Sequence, residues 1–199
     1  MTSLFHGLKR LLLIPLLCVS LGASAARIGG ESFDELIRLA DTDTDLVLNG
    51  VGLRAVLMFK GYAAGLYLVH KGRTAEQVLA VKGAKRVQLK MLIDVEAKEF
   101  VKAIDVGMRR NSTEAEQLAM KDRIAQFDSN IGLIGTVKKG DVINLDFIPA
   151  KGLVLTLNGK PRGEPIPGED LYAGVLKIFI GELPVDKKLK AGLLGGAAP

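Results

Sequence analysis

The chain has 199 residues, 48% of them apolar and 25% charged, with a formal charge of +5. That balance excludes wholesale disorder and a collagen-like or coiled-coil design, and the length fits one domain with an appendage. The mean hydropathy of +0.26 is high, and the excess is gathered at the amino end, in the run from Leu11 to Leu21.

That run is shorter than the roughly 20 apolar residues of a membrane span. With Lys9 and Arg10 before it and Ala23-Ser24-Ala25 after it, it reads as a secretory signal cleaved between Ala25 and Ala26. Residues 1–25 are therefore expected to be a signal peptide and residues 26–199 a single domain exported to a bacterial periplasm. Cleavage removes Cys18, the one cysteine, so a mature domain has no disulfide, thiol nucleophile or thiolate metal site. It also removes Lys9 and Arg10 and no acid. The modest positive charge that remains, together with export, argues against nucleic acid as a partner.

In chain order, Phe33, Leu36, Ile37 and Ala40 predict a short helix between Gly29-Gly30 and the acidic run Asp41 to Asp45. Leu46 to Leu48, a bend at Gly50-Val51-Gly52, Leu53 to Phe59 and Tyr62 to Val69 read as strands, the last two meeting near Lys60-Gly61. Thr74 caps a short helix that Gly83 closes, and Val87, Leu89, Met91 and Ile93 alternate as a half-buried strand. Two helices follow, from Glu96 to about Arg109 and from the capping box Thr113-Glu114-Ala115-Glu116 to about Phe127. Val142 to Ile148 and Leu153 to Leu157 are strands, and Asn158-Gly159 signals a hairpin. Helices over Glu169–Ile180 and within Pro184–Leu194 end the chain. The expected fold class is α+β, a twisted, mainly antiparallel sheet covered on one face by helices.

Several motifs carry little. Gly50-Val51-Gly52-Leu53-Arg54-Ala55 matches a dinucleotide fingerprint in letters, but strand rather than helix follows it and no acid lies about 20 residues on. Asp41, Asp43 and Asp45 resemble a calcium loop, yet Leu46 and Gly52 hold its glycine and glutamate positions. His70 is the one histidine after the signal, too few for a zinc site or a histidine triad. No metal or cofactor is expected.

Arg54 is different, because it lies inside the apolar run Leu53 to Phe59. A guanidinium there needs an acid partner or an anionic ligand to offset its desolvation. Tyr62 and Tyr67 bring hydroxyls on the paired strand, and Lys90 lies in the alternating strand. An arginine with tyrosine hydroxyls against apolar walls suits a carboxylate or phenolate on a hydrophobic molecule.

These residues resemble the chalcone isomerase family, most closely its secreted bacterial chalcone isomerase-like branch. The likeness runs from Leu46 to Leu194 and is carried by four motifs in order: Gly52-Leu53-Arg54; Gly65-Leu66-Tyr67-Leu68; Thr113 to Glu116 with Met120 and Phe127; and Val175-Leu176 to Ile180-Gly181, then Val185 and Leu189-Lys190. The resemblance implies a cleft between sheet and helices. In plant members an arginine steers a phenolate during closure of a chalcone, while tyrosine, threonine and a water act at the ketone. Related plant proteins with the same fold bind fatty acids.

Carried over residue by residue, the arginine is Arg54. Tyr62 stands for the early threonine across a shorter hairpin, Phe100 for the catalytic tyrosine, Gly107 for an asparagine and Ile178 for the late threonine or serine. The cleft lysine falls near Met91, with Lys90 one position away. Losing those donors removes the groups that stabilise charge at the ketone, each worth a few kcal/mol.

The expected function is therefore binding of a small apolar anion such as a fatty acid, without turnover. Arg54, Tyr62 and Lys90 would hold the anion, and Met91, Phe100, Ile104 and Ile178 would wall the tail. The alternatives are an intramolecular lyase of the chalcone–flavanone type that uses Tyr62 as donor, and an envelope-assembly partner in which Arg54 is only an ion-paired group. Catalytic residues, ligand identity and oligomeric state stay open.

Overall fold

The computed structural model describes residues 25–40, 42–56 and 59–196. The signal peptide expected over residues 1–25 therefore lies outside the described residues, apart from Ala25. Strands β1 (Ala25–Ile28), β2 (Glu31–Asp34), β3 (Leu36–Arg38), β4 (Asp45–Val56) and β5 (Phe59–Leu68) come first, followed by helix α1 (Ala75–Ala80) and strand β6 (Lys85–Met91). Next are β7 (Val95–Glu96), α2 (Ala97–Asn111), α3 (Glu114–Gly132), β8 (Thr136–Val137), β9 (Val142–Ile148), β10 (Gly152–Leu157) and β11 (Lys160–Pro161). Helices α4 (Glu169–Ile180) and α5 (Lys187–Leu193) complete the chain.

A seven-stranded sheet in the order β11-β10-β9-β6-β5-β4-β3, antiparallel throughout, carries the helices on one face. Alternation decides what each strand offers. Lys85, Val87, Leu89 and Met91 of β6 and Ile143, Leu145 and Phe147 of β9 are buried. All but Lys85 belong to the core cluster shared with the helices. Helix α4 is apolar nearly all round, with Leu171, Val175, Ile178 and Ile180 buried. It is sandwiched between the sheet and α2 with α3, which accounts for that pattern. Capping boxes at Thr74 and Thr113 start α1 and α3 as the sequence predicts.

The helix predicted from Phe33 to Ala40 is not formed. Phe33 and Ile37 fit a helical spacing of four, but β3 takes its hydrogen-bond partners from β4 (Leu36↔Val47, Ile37↔Leu46, Arg38↔Asp45). Gly29 and Gly30, with φ of 64° and 95°, supply the left-handed turn that folds β1 onto β2. This hairpin lies on the sheet face opposite the helices, where Phe33 joins Leu46, Leu48, Ala63 and Tyr67 in a second core.

The bend predicted at Gly50–Gly52 is a bulge inside one continuous strand. The β4–β5 register passes from Leu48↔Tyr67 directly to Gly50↔Leu66, leaving Asn49 as an extra residue. Leu46 and Leu48 face the hairpin side. Asn49 and Gly50 both turn toward α5: the Asn49 amide donates to Leu193 O at 2.7 Å, and its oxygen accepts from Gly72 N at 2.8 Å. From there Gly50, Gly52 and Arg54 meet α5 in succession. A Cβ on Gly50 would collide with Gly192 O, and one on Gly52 would lie 2.7 Å from Leu189 O. The glycines thus let the helix backbone rest on the strand.

Candidate functional site

Beyond Gly52 the strand reaches Arg54, whose register partner on β5 is Tyr62. The two side chains stand at one end of a cavity of about 380 Å³ between sheet and helices, within the roughly 300–1,000 Å³ typical of small-molecule sites. Met91 and Leu89 from β6, Ile143 and Leu145 from β9 and Leu155 from β10 form its floor. Phe100, Ala103 and Ile104 project from one face of α2, with Ile178 and Phe179 from α4 and Ile131 from α3. Arg54, Tyr62 and Glu99 are the residues with polar side-chain groups on this apolar lining. Arg54 also borders two surface grooves, which puts it at the mouth.

Six of the seven residues expected from the sequence meet here: Arg54, Tyr62, Met91, Phe100, Ile104 and Ile178. Lys90 does not. It follows the period of two to the opposite sheet face, where its Nζ donates to Ser32 O at 2.6 Å and stands 4.9 Å from the Phe33 ring centroid. It fastens the β1–β2 hairpin instead. Tyr67 is likewise in the second core, away from the cavity.

The sequence reading missed the partner of Arg54. Asp186 Oδ2 lies 3.6 Å from Arg54 Nη1, and the two side chains are 15% and 26% exposed. Asp186 is also the N-cap of α5, its Oδ1 accepting from Lys188 N and Leu189 N at 2.8 and 3.0 Å. An acid therefore faces Arg54, as in the envelope-partner alternative, but the contact is longer than a hydrogen bond. The charge of the guanidinium is balanced, while its N–H groups donate no hydrogen bond to a described residue. An aspartate ahead of Lys187-Lys188-Leu189 is a legible cap; its approach to Arg54 needs the α5–β4 packing.

Tyr62 is half-buried, and its hydroxyl makes no hydrogen bond with a described residue. Burial drives its pKa far above the ordinary phenol value; Arg54 opposes this and Asp186 adds to it. The group is thus a neutral hydroxyl, free to donate to an anion held by Arg54.

Gly107 and Ile178, where the family resemblance would put an amide and a hydroxyl, are in contact across α2 and α4. With Phe100 in the cavity lining, these three positions offer packing and no side-chain hydrogen-bond donor. Among the described residues no group of three or more potential metal ligands occurs.

A family model described as chalcone isomerase-like matches residues 25–195. No curated protein matches the sequence. Among solved structures, the fatty-acid binding protein of Arabidopsis thaliana is similar with a TM-score of 0.64 at 17% identity, the alignment covering 86% of this chain and 96% of the other. At that identity the likeness speaks for the fold.

Proposed function

The chain belongs to the chalcone isomerase-like family, and from that premise we propose that it binds, without turning over, an apolar molecule ending in a carboxylate or phenolate, of which a fatty acid is representative. The observation that carries this reading is an apolar cavity with a cation and a free phenolic hydroxyl side by side at its mouth. The anion sits between the Arg54 guanidinium and the Tyr62 hydroxyl, both donating to it. The tail runs inward past Met91, Phe100, Ile104 and Ile178, each buried methylene contributing about 0.8 kcal/mol. The fatty-acid binding protein of like fold supports the ligand class. Residues 1–25 support export to the periplasm, with cleavage after Ala25.

Native mass spectrometry of the purified protein tests the reading. The expected result is a co-purifying apolar acid, and a fatty acid that raises the melting temperature in wild type but not in Arg54→Ala. No acid-dependent stabilisation, or equal stabilisation of the variant, overturns it.

A second reading, an intramolecular lyase, is favoured by the unpartnered Tyr62 hydroxyl beside Arg54. It requires that a chalcone be closed stereoselectively and that Tyr62→Phe abolish turnover while leaving binding intact.

A further inference from the structure

Around the cavity mouth, separate elements each expose an apolar side chain next to basic ones. The end of the β4–β5 hairpin carries Phe59, 71% exposed, beside Lys60 and two residues from the cavity-lining Gly61. Helix α2 carries Val106, 39% exposed, between Lys102 and Arg110. The segment from α4 to α5 carries Leu183, 51% exposed, ahead of Lys187 and Lys188. Val106, Leu183, Lys102 and Arg110 line one groove of about 300 Å³, which shares Arg54, Glu99, Ala103 and Val185 with the cavity.

The charge around this rim is positive. Lys60, Lys102, Arg110, Lys187 and Lys188 are exposed and form no ion pair with a described residue. The acids present are Asp186, opposed by Arg54, and Glu99 and Glu182. Scattered apolar tips ringed by lysine and arginine suit the interface of an anionic bilayer, where side chains enter the headgroup region singly and basic residues meet lipid phosphates. A protein partner is matched instead by a contiguous apolar patch. No helix among the described residues is long and apolar enough to cross a membrane, so the contact is peripheral.

We propose that the mouth of the cavity docks on anionic lipid bilayers, bringing the groove at Leu183 and Val106 against the acyl boundary so that an apolar ligand passes between bilayer and cavity without crossing water. The docking rests on the rim itself; only its purpose rests on the ligand-binding reading.

The sequence contains no tryptophan, so Leu183→Trp gives a reporter at the rim and Leu118→Trp, on the outer surface of α3, a control. With vesicles of phosphatidylglycerol the emission of Leu183→Trp is expected to shift to the blue, while phosphatidylcholine vesicles leave it unchanged and Leu118→Trp responds to neither. Adding Lys102→Glu and Arg110→Glu to the reporter lowers the vesicle affinity by roughly tenfold or more. No shift, an equal shift with both lipids, or a response at Leu118→Trp alone overturns the proposal. Fatty-acid binding in solution, measured on the same proteins, separates the two readings. Intact binding without docking overturns this proposal alone, and docking without fatty-acid binding overturns the ligand reading alone.

Discussion

Gly107 of α2 and Ile178 of α4 fit each other as gap and knob: a Cβ on Gly107 would fall 2.7 Å from Ile178 Cγ2 and 2.9 Å from its Cγ1. The family resemblance would give these positions an asparagine and a threonine or serine. Here the two positions fit as a pair, and a larger side chain at Gly107 needs a smaller one at Ile178. Gly107→Asn is expected to destabilise the fold by about 1–3 kcal/mol through overpacking. Adding Ile178→Ser should return part of that loss, a coupling that urea unfolding of the two single variants and the double variant reads directly.

Asp186 competes with any anionic ligand for Arg54, and it does so from a fixed position because its other oxygen caps α5. Asp186→Asn keeps a good capping side chain and removes the charge. Affinity for a fatty acid should rise about fivefold, the effect of roughly 1 kcal/mol for a partly exposed pair. Affinity for the corresponding methyl ester should not change. Calorimetry with both ligands checks the difference.

Between α2 and α3, Asp128 carries a buried, unpartnered Oδ1. Its pKa is pushed up to about 6 by burial, with Asp105 adding repulsion. An acid whose folded pKa lies above its unfolded value of 3.8 binds more protons when folded. Stability therefore falls as pH rises from about 4 to about 6 and is level above that. A displacement of this size corresponds to about 3 kcal/mol when fully buried, and partial exposure reduces it. Asp128→Asn should raise stability at pH 7 by about 1–2 kcal/mol and remove this slope from the pH profile of the melting temperature.

On the opposite sheet face, Arg86 and Asp146 are register partners on β6 and β9, joined by two hydrogen bonds of 2.6 Å and almost fully buried. Asp146→Asn or Arg86→Met leaves one buried charge without its partner and should cost about 3–5 kcal/mol. Replacing both with Arg86→Met and Asp146→Leu should cost much less. Denaturant midpoints of the three variants provide the comparison.

Much of this architecture is legible from local pattern. Val87, Leu89 and Met91 alternate cleanly, Thr74 and Thr113 announce their helices, and Asn158-Gly159 turns β10 into β11 as expected. What the sequence withholds depends on neighbours. Phe33 and Ile37 suit a helix until β4 offers β3 its hydrogen bonds. Lys90 and Met91 are adjacent in sequence, and only the packing of helices against one face tells which of them enters the cavity. Asp186 reads as a cap, and its nearness to Arg54 comes from Gly50 and Gly52 admitting α5 to the strand.

The extra residue at Asn49 changes the parity of β4. Counting by twos from Leu46 and Leu48, which face the hairpin, would assign Arg54 to that same side, yet it faces the helices. Removing Asn49 would close the bulge and leave an odd count from Leu48, so the cavity's one cation among its described lining residues would stay on the helix side; drawing Asn49 into regular alternation would instead turn Arg54 away. In this strand an even spacing in sequence between Leu48 and Arg54 leads to opposite faces of the sheet because the pairing skips one residue between them.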